Sequence, residues 1–162
     1  MRNVYRAFAA IIAVEVLIQA AAVVYGVFGL SKYVEDGHTL NSQMMEDGSN
    51  TSFTGLGGLV LHGMNGMMII PLLGLLFVIV SFFAKVPKGV MWALITFGLI
   101  IVQVALGLFA HDIPALGILH GPNALVLFGA AVMAFMRSKA PEATGATTTA
   151  GYGTAAPTAT QV

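Results

Sequence analysis

The sequence predicts an all-α protein: an up-down bundle of four transmembrane helices, built from two helical hairpins. Hydrophobic residues make up 57% of its 162 residues and charged residues only 9%, whereas a typical soluble domain has about 25% charged residues. Four separate stretches are apolar over about 20 residues, the length that a helix needs to cross a bilayer. They lack the alternating pattern of a membrane β-barrel, which leaves helices as the spanning structure.

The predicted helices cover residues 7–30, 56–83, 90–110 and 114–135, and with their connections they form one bundle over residues 1–139. Few strongly polar side chains interrupt these runs: Glu15, Gln19, His62, Asn65, Gln103, His120 and Asn123. The first run is long for a cleaved secretory signal and contains an acid. It is therefore predicted to remain as a membrane helix.

Two prolines lie within predicted helices, and each predicts a kink because proline removes a backbone N–H from the helix. Pro71 lies in the second helix and Pro122 in the fourth. Pro122 also suits the first turn of a helix, but residues 121–135 alone are too short to span a bilayer. The fourth helix is therefore predicted to begin near Pro114.

Basic residues predict the orientation, because they are enriched in cytoplasmic loops. Only Lys32 lies on the opposite side from the other six basic residues, which are Arg2, Arg6, Lys85, Lys88, Arg137 and Lys139. The protein is therefore predicted to lie in the cell membrane with both termini cytoplasmic. Residues 140–162, rich in Ala, Thr, Pro and Gly, are predicted to form a disordered cytoplasmic tail.

The composition also excludes several classes of function. Seven basic and seven acidic residues cancel, so no excess of positive charge favours nucleic-acid binding. The chain has no cysteine, which excludes disulfides, thiolate metal sites, iron–sulfur clusters and haem attached through thioethers. The partner that remains is the lipid bilayer.

An internal repeat carries the functional argument. Residues 61–65 read Leu-His-Gly-Met-Asn and residues 119–123 read Leu-His-Gly-Pro-Asn. Each histidine lies about six residues inside its helix, about 9 Å along the axis, so both are expected at the same depth near the outer face. The first and third helices also share a glutamine followed by a glycine. The chain therefore reads as two parallel repeats, each one hairpin.

The repeated histidines are predicted to meet. In an up-down bundle the second and fourth helices are parallel and face each other diagonally, so His62 and His120 can point at one ligand. Asn65 and Asn123 follow three residues later and lie on the same helix faces. A glycine after each histidine leaves room for a flat macrocycle. Ionisable residues inside a membrane are functional candidates, although a single histidine can also make an interhelical hydrogen bond.

The donor set favours a b-type haem, because two neutral imidazoles supply both axial positions without a thioether. His111, at the end of the third helix, is a further candidate for the edge of the cofactor. Zinc needs three or four ligands, which His111 and either His38 or Asp112 would have to complete. Copper is the other alternative, since several methionines near the outer face offer soft thioethers.

A family resemblance points the same way. The segment Gln103-Val-Ala-Leu-Gly107, followed by a short turn with Pro114 and then Leu119-His120, resembles the end of one four-helix half of haem A synthase. The resemblance implies that His62 and His120 are axial haem ligands. That family usually has an arginine after a ligand histidine, where this chain has glycine. Along its whole length the chain resembles a family of uncharacterised bacterial four-span membrane proteins, and b-type membrane cytochromes are a further comparison.

Two functions from different classes follow. The first is a cytochrome b-like protein that binds one haem and carries electrons to or from a redox partner protein, or handles haem. The second is a non-haem accessory or proton-linked transport protein, active as a homo-oligomer, in which Glu15 bonds to Gln19 or Gln103 along a polar track. Hydrolase motifs such as Gly-x-Ser-x-Gly, His-Glu-x-x-His and the P-loop are absent, and the pattern does not decide between an enzyme and a carrier.

Overall fold

A computed structural model describes residues 1–40 and 52–139, which are all-helical. Its four helices are α1 (Arg2–Glu35), α2 (Leu56–Ser81), α3 (Gly89–Phe109) and α4 (Pro114–Arg137), and each is long and apolar enough to cross a membrane. The prediction of an all-α, four-helix transmembrane protein is confirmed. The predicted disordered tail, residues 140–162, lies outside the described residues.

The four helices pack around a square. The main contacts join α1 to α2, α2 to α3, α3 to α4, and α4 back to α1. Helices α2 and α4 therefore occupy opposite corners, as the up-down arrangement of two hairpins requires. One end of the bundle carries the chain's N-terminus, the α2–α3 connection and the end of α4, and we call it the basic end. Its six basic residues are Arg2, Arg6, Lys85, Lys88, Arg137 and Lys139.

The helix bounds differ from the predicted ones mainly in α1, which runs over Arg2–Glu35 and not over residues 7–30. The length of an apolar run matches the thickness of the hydrocarbon core of the bilayer. A helix can continue beyond that core through polar residues, because water and side chains can hydrogen-bond to its backbone there. Lys32 pairs with Asp36 one turn further along the same helix end. Helix α4 likewise extends to Arg137.

The distortion predicted near Pro71 takes the form of a π-helical segment. Helix α2 consists of Leu56–Met64, the π segment Asn65–Ile69, and Ile70–Ser81. The Ile70 N–H donates to the Asn65 carbonyl, five residues earlier, just before the proline that has no N–H to donate. Helix α4 begins with a short 3₁₀ turn and then stays α-helical through Pro122.

The buried core lies toward the basic end. Its members come from all four helices and the α2–α3 connection: Tyr5, Ala9, Ile12, Ala13, Ile70, Phe77, Ala84, Val86, Ala93, Ile100, Leu127, Ala131 and Ala134. Tyr5 is fully buried, its ring centroid lies 4.7 Å from that of Phe77, and its hydroxyl donates to the Gly89 carbonyl at 3.0 Å. One side chain of α1 is thereby fixed to both α2 and α3.

Beyond this core, α1 and α2 stay in close contact through small residues. A Cβ atom on Gly58 would collide with the Ala22 carbonyl oxygen and would lie 3.1 Å from the Tyr25 ring. A Cβ atom on Gly26 would collide with the Leu59 side chain. Small residues let membrane helices approach until their backbones touch, and the packing that results is a main source of their association.

The bundle opens away from the basic end. The first part of α2, Leu56–Met64, packs mainly against α1, whereas the second part, Ile70–Ser81, packs against both α1 and α3. Helix α2 therefore leaves α3 as it passes the π segment. The space that results lies between all four helices and contains the candidate site.

Two neighbouring glycines test the close α1–α2 contact. Gly58→Ala is expected to destabilise the protein by about 1–3 kcal/mol, because the new methyl group meets backbone that cannot move aside. Gly57→Ala is the matched control, since a Cβ atom there meets nothing within 4 Å, and it should be neutral or slightly stabilising. Thermal unfolding in detergent measures both, and equal effects would contradict the contact.

Candidate functional site

A cavity of about 540 Å³ lies between the four helices, on the side of the core away from the basic end. Its walls are mainly aliphatic, with four glycines among them. Each helix contributes one strongly polar side chain to the lining, and these are Gln19, His62, Gln103 and His120. Small-molecule and cofactor sites have this character: apolar walls with a few convergent polar groups.

The two repeated histidines meet in this cavity. The ring centroids of His62 on α2 and His120 on α4 are 6.1 Å apart, and the ring planes make an angle of 56°. The two helices lie at opposite corners of the bundle, so the histidines reach toward each other across its interior. The structure thus brings together the pair that the repeat singles out.

Gln19 holds His62 in place. The Nδ1 atom of His62 lies 3.1 Å from the main-chain oxygen of Gln19. With the Gln19 amide oriented to satisfy its neighbours, its nitrogen donates to the His62 carbonyl at 3.1 Å and lies 2.7 Å from Nδ1. The amide oxygen then accepts from Asn65 Nδ2 at 3.1 Å and from the Gly66 N–H at 3.0 Å. The polar contacts of the His62 ring therefore run through Nδ1, on the side of α1.

The repeated asparagines bond to the neighbouring helix of their own hairpin. Asn65 Nδ2 donates to Glu15 Oε2 at 2.6 Å. In the second hairpin, Asn123 Nδ2 donates to Gln103 Oε1 at 2.6 Å and to the Leu99 carbonyl at 3.1 Å. Neither asparagine is among the described residues that line the cavity, so each joins two helices behind a histidine.

These two bonds set the register of the repeat. Glu15 in the first hairpin takes the place that Gln103 takes in the second. Four residues further on, Gln19 corresponds to Gly107. The two glutamines, each followed by a glycine, are therefore not equivalent in the repeat and differ by one helical turn. Glu15 bonds to Asn65, and neither Gln19 nor Gln103 is its partner here.

The register explains why the two histidines differ. His62 faces Gln19, which supplies both an amide and a main-chain oxygen. His120 faces Gly107 instead: a Cβ atom on Gly107 would lie 3.2 Å from His120 Cε1. The Nδ1 atom of His120 is buried and has no hydrogen-bond partner among the described residues. The second histidine thus packs directly against a glycine where the first has a polar side chain beside it.

The other predicted ligands lie elsewhere. His111 is exposed in the turn after α3 and is not among the residues that line the cavity. His38 stacks on Tyr33 with ring centroids 4.4 Å apart. Within residues 1–40 and 52–139, no three His, Cys, Asp or Glu side chains are grouped so as to hold a metal ion. The zinc alternative, which needs His111 with His38 or Asp112, has no such group in the described structure.

Comparison with known proteins adds no further information. No protein-family model, no curated protein and no solved structure matches the chain. The resemblances to haem A synthase and to other four-span proteins stay predictions.

The second hairpin predicts what happens when Glu15 is changed. Glu15→Gln keeps an oxygen acceptor for Asn65 and copies the Gln103–Asn123 bond, so unfolding in detergent should be nearly unchanged. Glu15→Leu leaves the buried Asn65 amide short of an acceptor and should destabilise the protein by about 1 kcal/mol or more. Gln103→Leu is the matched change in the other hairpin. A Glu15→Gln protein as unstable as Glu15→Leu would show that the charge, and not the hydrogen bond, matters.

Proposed function

We propose that this protein is a cytochrome b-like membrane protein that binds one b-type haem between His62 and His120. It would carry single electrons to or from a redox partner protein, or handle haem in the membrane. The observation that carries the proposal is the convergence of two repeated imidazoles, 6.1 Å apart, on one apolar cavity.

The spacing suits two axial ligands. An imidazole nitrogen bonds a transition metal at about 2 Å, and the ring centroid lies about 1 Å further out. Two imidazoles on opposite sides of one iron therefore have centroids about 6 Å apart, which agrees with 6.1 Å. Both ring planes can contain the line that joins the two ligand nitrogens and still differ in their rotation about that line. An angle of 56° between the ring planes is therefore compatible with such a pair.

The cavity also has space for a flat group. Gly63 and Gly121 follow the two histidines and line the cavity, and a Cβ atom on either would meet nothing within 4 Å. Gly66 and Gly107 line it as well. Apolar walls suit the uncharged body of a porphyrin, and no thiol is needed to hold it.

The residues behind the histidines have defined roles. The polar contacts of the His62 ring run through Nδ1, so Nε2 is the nitrogen that would bind the metal, and Gln19 would orient the ring. Asn65 and Asn123 hold each histidine-bearing helix against its neighbour. A b-type haem supplies a one-electron redox couple, whose potential depends on its axial ligands and its burial.

The placement of the protein belongs to the same proposal. Six basic residues at one end and a single lysine at the other favour a cytoplasmic basic end, with both termini inside the cell. The cavity then lies nearer the outer face of the cell membrane. A redox partner is expected on that side.

Absorption spectroscopy of the detergent-purified full chain, expressed with added haem, tests the proposal. We expect a sharp reduced-minus-oxidised band of six-coordinate b haem after dithionite addition. The band should disappear in His62→Ala and in His120→Ala, and it should persist in His111→Ala, which removes an exposed histidine outside the cavity.

Two further variants separate ligand loss from misfolding. His62→Gly leaves a gap that free imidazole can fill, so imidazole should restore the band. Gly121→Leu adds a side chain to the open part of the cavity and should block haem while circular dichroism stays helical. A protein that stays colourless with haem supplied, or a band that survives both histidine changes, would overturn the proposal.

The alternative is a non-haem transport or accessory protein that depends on Glu15. The observation that favours it is the chain of hydrogen bonds from Glu15 through Asn65 and Gln19 to His62. Gln103 belongs to the other hairpin and is bonded to Asn123, so the three residues do not form one track. A colourless protein whose transport activity is lost in Glu15→Gln would favour this function.

A further inference from the structure

A second surface feature lies at the basic end, far from the histidines. A shallow groove of about 340 Å³ is lined by Asn3, Arg6, Ala7, Ala10 and Phe135. Its floor is formed by α1, where two alanines leave a track along the helix, and its wall by the Phe135 ring of α4. The groove therefore lies between the first and last helices, at the level where they leave the bilayer.

Two cations meet on one aromatic ring beside this groove. The Arg6 guanidinium carbon lies 5.1 Å from the centroid of Phe135, and the Lys139 ammonium lies 4.6 Å from the same centroid. Both distances are within the range of cation–π attraction. Two positive charges from different parts of the chain thus lie against one aromatic ring.

No acidic side chain balances these charges in the described structure. Within residues 1–40 and 52–139 the acids are Glu15, Glu35, Asp36 and Asp112, none of which lies at the basic end. Neither Arg6 nor Lys139 forms an ion pair with a described residue. Two like charges that share one ring at a membrane surface are stabilised by an anion between or beside them.

We propose that the groove binds an anionic phospholipid of the adjacent leaflet. The Arg6 guanidinium, the Asn3 amide and the Lys139 ammonium hold the phosphate, and one acyl chain lies along Ala7 and Ala10. Arginine matches phosphate with two parallel hydrogen bonds, whereas lysine acts as a point charge. Basic pockets between membrane helices recognise anionic headgroups by this chemistry.

The geometry favours a lipid over a free anion. Arg6, Asn3 and the alanine track line the same groove, and Lys139 lies beside it over the Phe135 ring, so a ligand that carries both a phosphate and an apolar chain can contact all of these groups. Beside the track, on one side of the helix, Val4 and Ile11 are apolar and exposed. These surfaces already face lipid, and a bound phospholipid continues that environment.

Native mass spectrometry of the full chain, released from nanodiscs with equal amounts of phosphatidylglycerol and phosphatidylcholine, tests the proposal. We expect the wild type to retain one phosphatidylglycerol in clear preference to phosphatidylcholine. The preference should fall by about fivefold for each charge removed in Arg6→Gln and Lys139→Gln. Ala10→Leu keeps every charge but fills the track, and it should also lose the bound lipid.

The matched control is Lys85→Gln with Lys88→Gln. It removes two charges from the same end of the bundle but none from the groove, so lipid retention should stay as in the wild type. Equal loss in this control would show general surface attraction and overturn the site. Displacement of the lipid by excess inorganic phosphate, or full retention in Ala10→Leu, would also contradict a phospholipid in the groove. Unchanged thermal unfolding in detergent without added lipid confirms that each variant is folded.

Discussion

Two short hydrogen bonds, Asn65 to Glu15 and Asn123 to Gln103, fix the arrangement on which the rest of the site depends. Lipid satisfies no polar group, so an amide inside the bilayer must find its partner on another helix. Each bond joins the two helices of one hairpin at the level just below a histidine. The helices are thereby held in rotation and in depth, and the imidazoles above them are directed into the interior.

Packing divides the molecule into a closed part and an open part. Tyr5, Phe77 and their neighbours fill the space at the basic end, and the glycines of α1 and α2 bring those helices into backbone contact. Helix α3 has no comparable contact with the first part of α2. A dense core at one end thus supports a cavity at the other. The core fixes the positions of the four helices, and the polar side chains of these helices line the cavity.

The sequence was sufficient to predict the four spans, because apolar length alone determines which segments can cross a bilayer. It also predicted the meeting of His62 and His120, since a repeat in an up-down bundle places equivalent residues at equal depth. It failed on the register between the first and third helices. By residue type Gln19 would correspond to Gln103, whereas in the structure Glu15 corresponds to Gln103, because a carboxyl oxygen and an amide oxygen can both accept from an asparagine amide. Asn65 and Asn123 were predicted on the same helix faces as the histidines; in the structure each bonds to the neighbouring helix, because residues three positions apart on a helix share a face only broadly.

The π segment of α2 changes the rotation of one part of the helix relative to the other. One residue of an α-helix corresponds to a rotation of about 100° about the axis, and the wider turn at Asn65–Ile69 shifts the angular phase of everything that follows. Above it, α2 presents His62 to the cavity; below it, the same helix presents Phe77 to Tyr5. Helix α4 has no such segment between His120 and Leu127, and its two parts share one phase. The wider turn takes up one extra residue in α2: His62 and the core residue Ile70 are eight positions apart, whereas His120 and the core residue Leu127 are seven positions apart.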